Sequence, residues 1–338
     1  MKNEILLSVI IPCYNAEKYI KECADSLTAI EDERTEFIFV DDGSADSTYE
    51  ILSSYTDKRI TVIKKENEGP SSARNSGLKK ASGNFIMFVD ADDYVFTKEI
   101  EKVIFSLEDC FELVYFRFSD SGIKEKENTI KQLPADKICR GILNIDEKFM
   151  QELRRQNYNF HSPWAKLYKR SIIIEKGIYF PENLRWGEDI CFNLSYLRYV
   201  KEVQLFSVTG YFYRYDNQSL INGYYPDKRR QMEQLVQEAV KYIDGEECKE
   251  AYQYFAARQY LYIFQEDLCH PMNRTDYHKR KETAWEILKE IPEFNYAISA
   301  CSLKKMGKQP AFLVWLVRRK LFGIINLLIK FKLRFSKK

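Results

Sequence analysis

"FIMFVDADDYV", Phe85 to Val95, runs from an apolar strand-like stretch straight into three acids, Asp90, Asp92 and Asp93. Asp is a poor strand former, and like charges this close together repel. Carboxylates at the end of a buried strand therefore call for a cation or for a wet turn. Alone, such a trio is more often a solvated turn. Its surroundings decide between the two readings.

Working outward, the flanking segments alternate in type. "ILLSVIIP" (5–12) is a short apolar run closed by proline, a buried-strand signal. "NAEKYIKECADSLTAI" (15–30) keeps apolar residues at helical spacing, with Asn15 placed to cap it. "EFIFVDDGS" (36–44) predicts a second strand, "ADSTYEILSSYT" (45–56) a helix and "RITVIKKE" (59–66) a third strand. "PSSARNSGLKKAS" (70–82) predicts a helix entered through Gly69-Pro70, and "NFIMFVD" (84–90) a fourth strand. Strand–helix–strand repeated three times predicts parallel strands joined by right-handed crossovers. The acids then fall at strand C-terminal ends, the edge at which open α/β sheets bind ligands.

Further on the pattern is mixed. Strands are expected over 112–122 and 203–215, and a helix over 146–156. A strand then a helix is expected over 162–177, and a helix from 187 to 200. "NTIKQLPADKICRG" (128–141) is polar and reads as a loop, and 227–300 reads as helices. The fold class expected is α/β, a mostly parallel sheet with flanking helices followed by a smaller helical region. The divisions expected are 1–220, a helical 221–303 and a basic tail 304–338.

Charge is uneven. The 338 residues carry a net +2, yet 294–338 hold eleven Lys or Arg and no acid, which leaves 2 − 11 = −9 on residues 1–293. An acidic body with a basic tail points to an anionic partner for the tail alone. In the tail, cations interleave with Leu, Ile and Phe, with a strand-like alternation in the last residues, and no uncharged run is long enough to span a bilayer, which favours an anionic membrane surface over nucleic acid. The eight cysteines form no CxxC pair, and with no secretory signal at the N-terminus the expectation is reduced thiols in a cytoplasmic protein.

Three carboxylates within four residues at a strand end suit a hard divalent cation, Mn2+ or Mg2+, with phosphate oxygens as further ligands; alternate residues of an extended segment point to opposite sides, so either a loop twist brings Asp90 and Asp92 to one metal or only one of them holds it. Asp41 and Asp42 before Gly43 form a second acidic turn, able to accept hydrogen bonds from a base or ribose. The helix opening at Pro70, with Arg74, suits a diphosphate. There is no GxGxxG after the first strand and no GxxxxGK[ST], which sets aside nicotinamide-dependent and phosphate-loop enzymes.

"SVIIPCYNAEKYIKECADSL", "FIFVDDGSADST", "NEGPSSARNSGLKKASGNFIMFVDADD" and "WGEDICF" occur in this order, and together they resemble the family 2 glycosyltransferases, over about residues 5–220. The resemblance implies a GT-A fold, a nucleotide diphosphate sugar donor, usually a UDP-sugar, and inversion at the anomeric carbon. It implies that Pro12, Tyr14, Asn15 and Glu17 border the nucleotide, that Asp42 reads the uracil beside Asp41, and that Arg74 lies near base and phosphates. Asp92 is then the metal ligand and Asp90 a ribose or sugar contact. Asp189 of "GED" is the general base, with Glu188 as the fallback. A family loop that closes on the donor corresponds to 213–230, where Arg214 can reach the diphosphate. His161 and Trp164 are acceptor-binding candidates, Trp164 either stacking on a sugar or serving as a core residue.

The function expected is a metal-dependent inverting glycosyltransferase. Its acceptor would be a lipid-linked or oligosaccharide glycan of cell-surface polysaccharide, with the enzyme peripheral on the inner face of the cell membrane. The alternatives are a sugar-phosphate nucleotidyltransferase, which needs a Gly- and Lys-rich loop absent from "PCYNAEKY", and a non-catalytic membrane scaffold. The sequence pattern sets no oligomeric state.

Overall fold

In the computed structural model, residues 4–122, 129–143, 147–215 and 227–335 are described. Four strands, β1 (Leu7–Cys13), β2 (Thr35–Asp41), β3 (Ile60–Lys64) and β4 (Phe85–Phe88), lie parallel in the order β3-β2-β1-β4. They are connected by α1 (Ile20–Thr28), α2 (Thr48–Ser53) and α3 (Pro70–Lys80). The chain runs outward from β1 to β3 and then returns to the other side of β1. The switch point therefore lies between β1 and β4, where such sheets open a crevice at the strand C-termini.

The continuous apolar runs are explained by burial on both faces. Leu7, Val9 and Ile11 point with Phe37, Phe39, Phe85 and Met87 into a core that takes Ile20, Cys23 and Leu27 of α1. The alternate residues face α3, whose backbone comes so close that a Cβ on Gly77 would lie 2.3 Å from Ile10 Cγ2.

The rest of the sheet is mixed. It comprises β5 (Tyr94–Val95), β6 (Leu113–Ser119), β7 (Ile130–Pro134), β8 (Lys166–Lys169) and β9 (Glu202–Phe212). β8 is antiparallel between β4 and β6, β9 is parallel to β6, and β5 and β7 are antiparallel to β9. Helices α4 (Thr97–Phe105), α5 (Ala135–Ile142), α6 (Glu147–Arg155), α7 (Arg170–Lys176) and α8 (Glu188–Leu197) complete this part.

Three expectations change. Residues 130–142 form β7 and α5 instead of a loop; four of the five β7 residues are exposed, so no apolar alternation marks the strand. Helix α1 starts at Ile20, without a side-chain cap, and Asn15 adopts φ 49° and serves another loop. The strand-like alternation near the C-terminus is helical through Phe335.

The chain divides into two compact units, Met1–Ile138 with Lys148–Asn217, and Cys139–Glu147 with Gln218–Lys338. The second contains α9 (Lys228–Ala239), α10 (Glu246–Ile263), α11 (Tyr277–Glu290), α12 (Pro292–Ala300), α13 (Lys308–Arg318) and α14 (Phe322–Phe335). Its core is built on α10, where Ala251, Phe255, Tyr260 and Ile263 are buried and the Tyr260 hydroxyl donates to the Ala284 carbonyl. Asp276 caps α11 by accepting from the N–H groups of His278 and Lys279.

Candidate active site

The site is organised by one buried cation. Arg74 lies in the second turn of α3, on the face that packs against the sheet, and its side chain is 7% exposed. One terminal nitrogen donates to Asp90 Oδ1 at 3.1 Å; the other donates to Asp189 Oδ1 at 3.1 Å and lies 3.5 Å from Glu188 Oε1. The guanidinium also sits 5.3 Å from the centroid of the Phe180 ring. Desolvating a guanidinium is costly unless its donors are matched by acids. Burial works against its charge, and Asp189, Asp90 and Glu188 more than offset that, raising its pKa. Acids 16 and 115 residues away are thus gathered on one fork.

Each partner is held by its own element. Asp90 follows β4, and its N–H donates to the Tyr211 hydroxyl of β9. Asp189 lies in the first turn of α8, entered through Gly187 at φ 84°, where the helix dipole favours an anion. Phe192, one turn further along, stacks on Phe180 at 4.0 Å and meets Phe88 of β4 edge to face, which fixes the helix to the sheet. Burial pushes the Asp189 carboxyl up to about 8; Arg74 pulls it down, Glu188 and Asp90 push it further up, and Lys166 pulls it down. Its side chain keeps 24% exposure, so it stays accessible. A carboxylate with a raised pKa and an open side is suited to accept a proton.

The remaining expected residues fall into three groups. Pro12 sits in β1 opposite Val40, and Tyr14 beside it is 53% exposed. Asn15 and Glu17 stitch the β1–α1 loop to the β2–α2 loop: Asn15 Oδ1 accepts from Ala45 N, Glu17 Oε2 from Ser47 N, and Asp46 Oδ2 from Glu17 N. In the second group, Asp42 is buried and accepts from Lys65 Nζ (2.8 Å), Glu68 N (3.1 Å) and Gly69 N (2.7 Å), which orders the turn ahead of α3. Asp41 is buried beside it and accepts from Ser44 N.

The third group surrounds the acidic turn. Asp92 is exposed, and its carbonyl accepts from Arg214 Nε. Asp93 is buried; it accepts from the Tyr211 hydroxyl at 2.6 Å and from Arg214 N at 2.8 Å. Burial and Asp90 push its carboxyl up to about 8, against the pull of those two donors. Arg214 also pairs with Glu22 and lies over the Tyr19 ring. The segment 216–226 of the expected closing loop lies outside the described residues.

Trp164 is a correction. It is 6% exposed and stacks on Tyr211 (4.8 Å) and Tyr213 (5.3 Å), with Phe118 edge-on, so the ring is committed to the core and not offered to a sugar. His161 lies beside α8, where its carbonyl accepts from Asn193 Nδ2.

Four further residues support the site. Asn75 Nδ2 donates to Phe180 O and Glu182 Oε1, and its Oδ1 accepts from Phe180 N, which ties the approach to "GED" onto α3. Asn193 donates to Asp189 O and His161 O. Tyr211 bridges Asp90 and Asp93. Lys166 is fully buried, donates to the Ser162 and Trp164 carbonyls and lies 4.8 Å from the Tyr115 ring centroid. A polar residue on an inward helical or strand position was the signal for each.

Among the described residues no cluster of three or more His, Cys, Asp or Glu stands ready to enclose a metal. Asp92, with Asp90 behind it, offers only hard oxygen donors. That set fits Mn2+ or Mg2+ bound by one or two carboxylates and completed by phosphate and water oxygens.

A mostly parallel α/β sheet with its acids and a buried arginine at the switch point is the frame of a ligand-binding α/β enzyme. Residues 8–176 match the family description "Glycosyl transferase family 2". The "Uncharacterized glycosyltransferase EpsJ" of Bacillus subtilis is 31% identical over 285 residues, 82% of this chain and 82% of that one. The poly(ribitol-phosphate) beta-N-acetylglucosaminyltransferase TarS of Staphylococcus aureus is 30% identical over 215 residues, 61% of this chain and 35% of that one. Among solved structures, TarS 1-349 in complex with UDP-GlcNAc matches with a TM-score of 0.67 at 22% identity, covering 98% of this chain and 92% of that one. The mannosyltransferase PcManGT of Pyrobaculum calidifontis, in complex with GDP-Man and Mn2+, matches with a TM-score of 0.51 at 16% identity, covering 98% and 88%. The chain belongs to glycosyl transferase family 2 and is a glycosyltransferase of GT-A-like fold.

Proposed function

We propose that this chain is a metal-dependent inverting glycosyltransferase that moves a sugar from a nucleotide diphosphate, a UDP-sugar, to a hydroxyl of a lipid-linked glycan. The setting would be cell-surface polysaccharide synthesis. The observation that carries this reading is the Arg74 fork, which brings Asp90 of the acidic turn and Asp189 of "GED" to one place at the strand C-terminal edge. Residues 1–220 would carry the transfer chemistry. The UDP-GlcNAc in the TarS structure supports the donor class, and the name of TarS, an enzyme of poly(ribitol-phosphate), supports a surface polymer.

In the transfer step, Asp189 accepts the proton of the acceptor hydroxyl. That oxygen bonds to the anomeric carbon on the face opposite the diphosphate. The bond from the anomeric carbon to the phosphate oxygen breaks, and its electron pair leaves on the diphosphate. Asp92 and Asp90 would hold a divalent cation, which would supply positive charge to the leaving diphosphate, so no second acid is required of the chain. Arg74 orients the base and Asp90 together, and Asp42 holds the turn of residues 65–69 against the nucleotide side of the sheet. The wider layout differs from that of hydrolases, which need two carboxylates across the bond.

Calorimetric titration of UDP into the protein tests this reading. With Mn2+ present, UDP binds; on removing the metal, or in Asp92→Asn, affinity falls by about tenfold or more. UDP binding indifferent to both changes contradicts the metal assignment.

A further inference from the structure

Helix α14 carries two apolar stripes. Phe322, Ile325 and Ile329 are buried against its own helical unit. Ile324, Leu327, Leu328 and Phe331 recur at i, i+3, i+4 and i+7 and point outward, with Leu327 69% and Phe331 65% exposed. At about 100° per residue, Lys330 and Lys332 fall on opposite borders of the outward stripe. The preceding helix continues this character. Phe312 and Trp315 are exposed and stacked on each other, and the Arg319 guanidinium lies 5.6 Å from the Trp315 ring centroid. The two helices are joined by a tight turn, with Lys320 at φ 55° and Leu321 N donating to Leu316 O.

The charge that these two helices themselves carry is of one sign, since residues 294–338 hold no Asp or Glu. A second copy docking through the same face would bring like charges together, and Lys is depleted in the cores of protein interfaces. Nucleic acid does not match outward Leu, Ile and Phe. The match for apolar side chains ringed by cations is an anionic lipid surface, which takes the former between its headgroups and the latter against its phosphates. The helix cannot cross: its 14 residues span about 21 Å, short of the ~30 Å hydrocarbon layer. Among the described residues no helix is long and apolar enough to do so.

We infer that the outward faces of α13 and α14 form a docking surface for an anionic membrane, on which α14 lies in the headgroup plane. This deepens the proposal of a lipid-linked acceptor and rests on it only for placing the enzyme at a membrane. Its test uses neither donor nor acceptor, so it fails or stands apart from the transfer chemistry.

The experiment is co-sedimentation of the full chain with vesicles of phosphatidylcholine alone and of phosphatidylcholine mixed equally with phosphatidylglycerol, together with light scattering of the protein alone. The full chain sediments with the anionic vesicles and not with the neutral ones. The double variant Leu327→Glu, Phe331→Glu loses this by about tenfold or more while keeping its melting temperature, because both sites are exposed. The charge variant Lys320→Glu, Lys330→Glu, which leaves the apolar stripe intact, weakens binding in the same direction. Equal sedimentation with both vesicle types, or a double variant that binds as the parent does, overturns the inference. So does a parent oligomer that the double variant converts to monomer, which would assign the face to a second copy.

Discussion

Asp189→Asn is expected to lower kcat by about a thousandfold while leaving UDP affinity unchanged, the signature of a lost general base. The amide keeps the shape of the side chain and can still accept from Arg74, so donor binding and folding are spared. The carboxylate stands in the first turn of α8, where its side chain remains a quarter exposed. Burial pushes it up to about 8, so it carries a proton over much of the neutral range. A general base acts in its unprotonated form. The native enzyme should therefore gain turnover as pH rises through that value and level off above it, and Asp189→Asn should lose the rise. Stopped turnover at several pH values reads both effects. A variant that turned over at the native rate would move the base to Glu188, whose carboxylate shares the same arginine nitrogen.

Arg74→Ala is expected to abolish transfer and to destabilise the fold by about 3–5 kcal/mol, because it strips the counter-charge from three acids. The side chain is nearly inaccessible, so water cannot take over its role. Arg74→Lys separates charge from geometry. A single ammonium cannot reach Asp90 and Asp189 as two arms of a planar fork do, so stability should recover in part while kcat stays low. Melting curves alongside turnover measure this. An Arg74→Ala protein with the native melting temperature and native kcat would remove the arginine from the centre of the site.

Much of this was legible in the chain, and the illegible parts have physical causes. The run from β1 to β4 could be read because parallel strands buried on both faces keep unbroken apolar stretches and their helices keep 3.6-residue spacing. β7 escaped because an edge strand with an exposed face has no alternation to show, and its sequence, "IKQLP", looks like loop. The terminal "KFKLRF" alternates by composition yet continues a helix, since propensity there is outweighed by the buried stripe of α14. At the site, Asp90, Asp92, Arg74 and Asp189 could each be named from sequence. Their wiring could not. Arg74 was expected near the diphosphate, and it is occupied by Asp90, Asp189 and Glu188. Contacts between residues 16 and 115 apart leave no local trace.

The opening trio resolves along the same lines. Asp90 faces the arginine, Asp92 is exposed, and Asp93 turns inward to the Tyr211 hydroxyl and the Arg214 N–H. The repulsion between neighbouring acids is relieved by sending each one to a different environment. Trp164 is the opposite case: an aromatic beside the site suggested a sugar platform, and three ring contacts keep it in the core.

Donor chemistry is what the site is proposed to perform, and release of UDP from UDP-sugars by the 338-residue chain tests it. A panel of UDP-sugars is incubated with the purified chain and Mn2+, with and without EDTA, and both UDP and pyrophosphate are measured. At least one UDP-sugar is expected to be bound and split to UDP in a Mn2+-dependent way, EDTA to stop it, and no pyrophosphate to form. Consumption of a nucleoside triphosphate with release of pyrophosphate, or failure to bind and split any UDP-sugar in the presence of Mn2+, would contradict it.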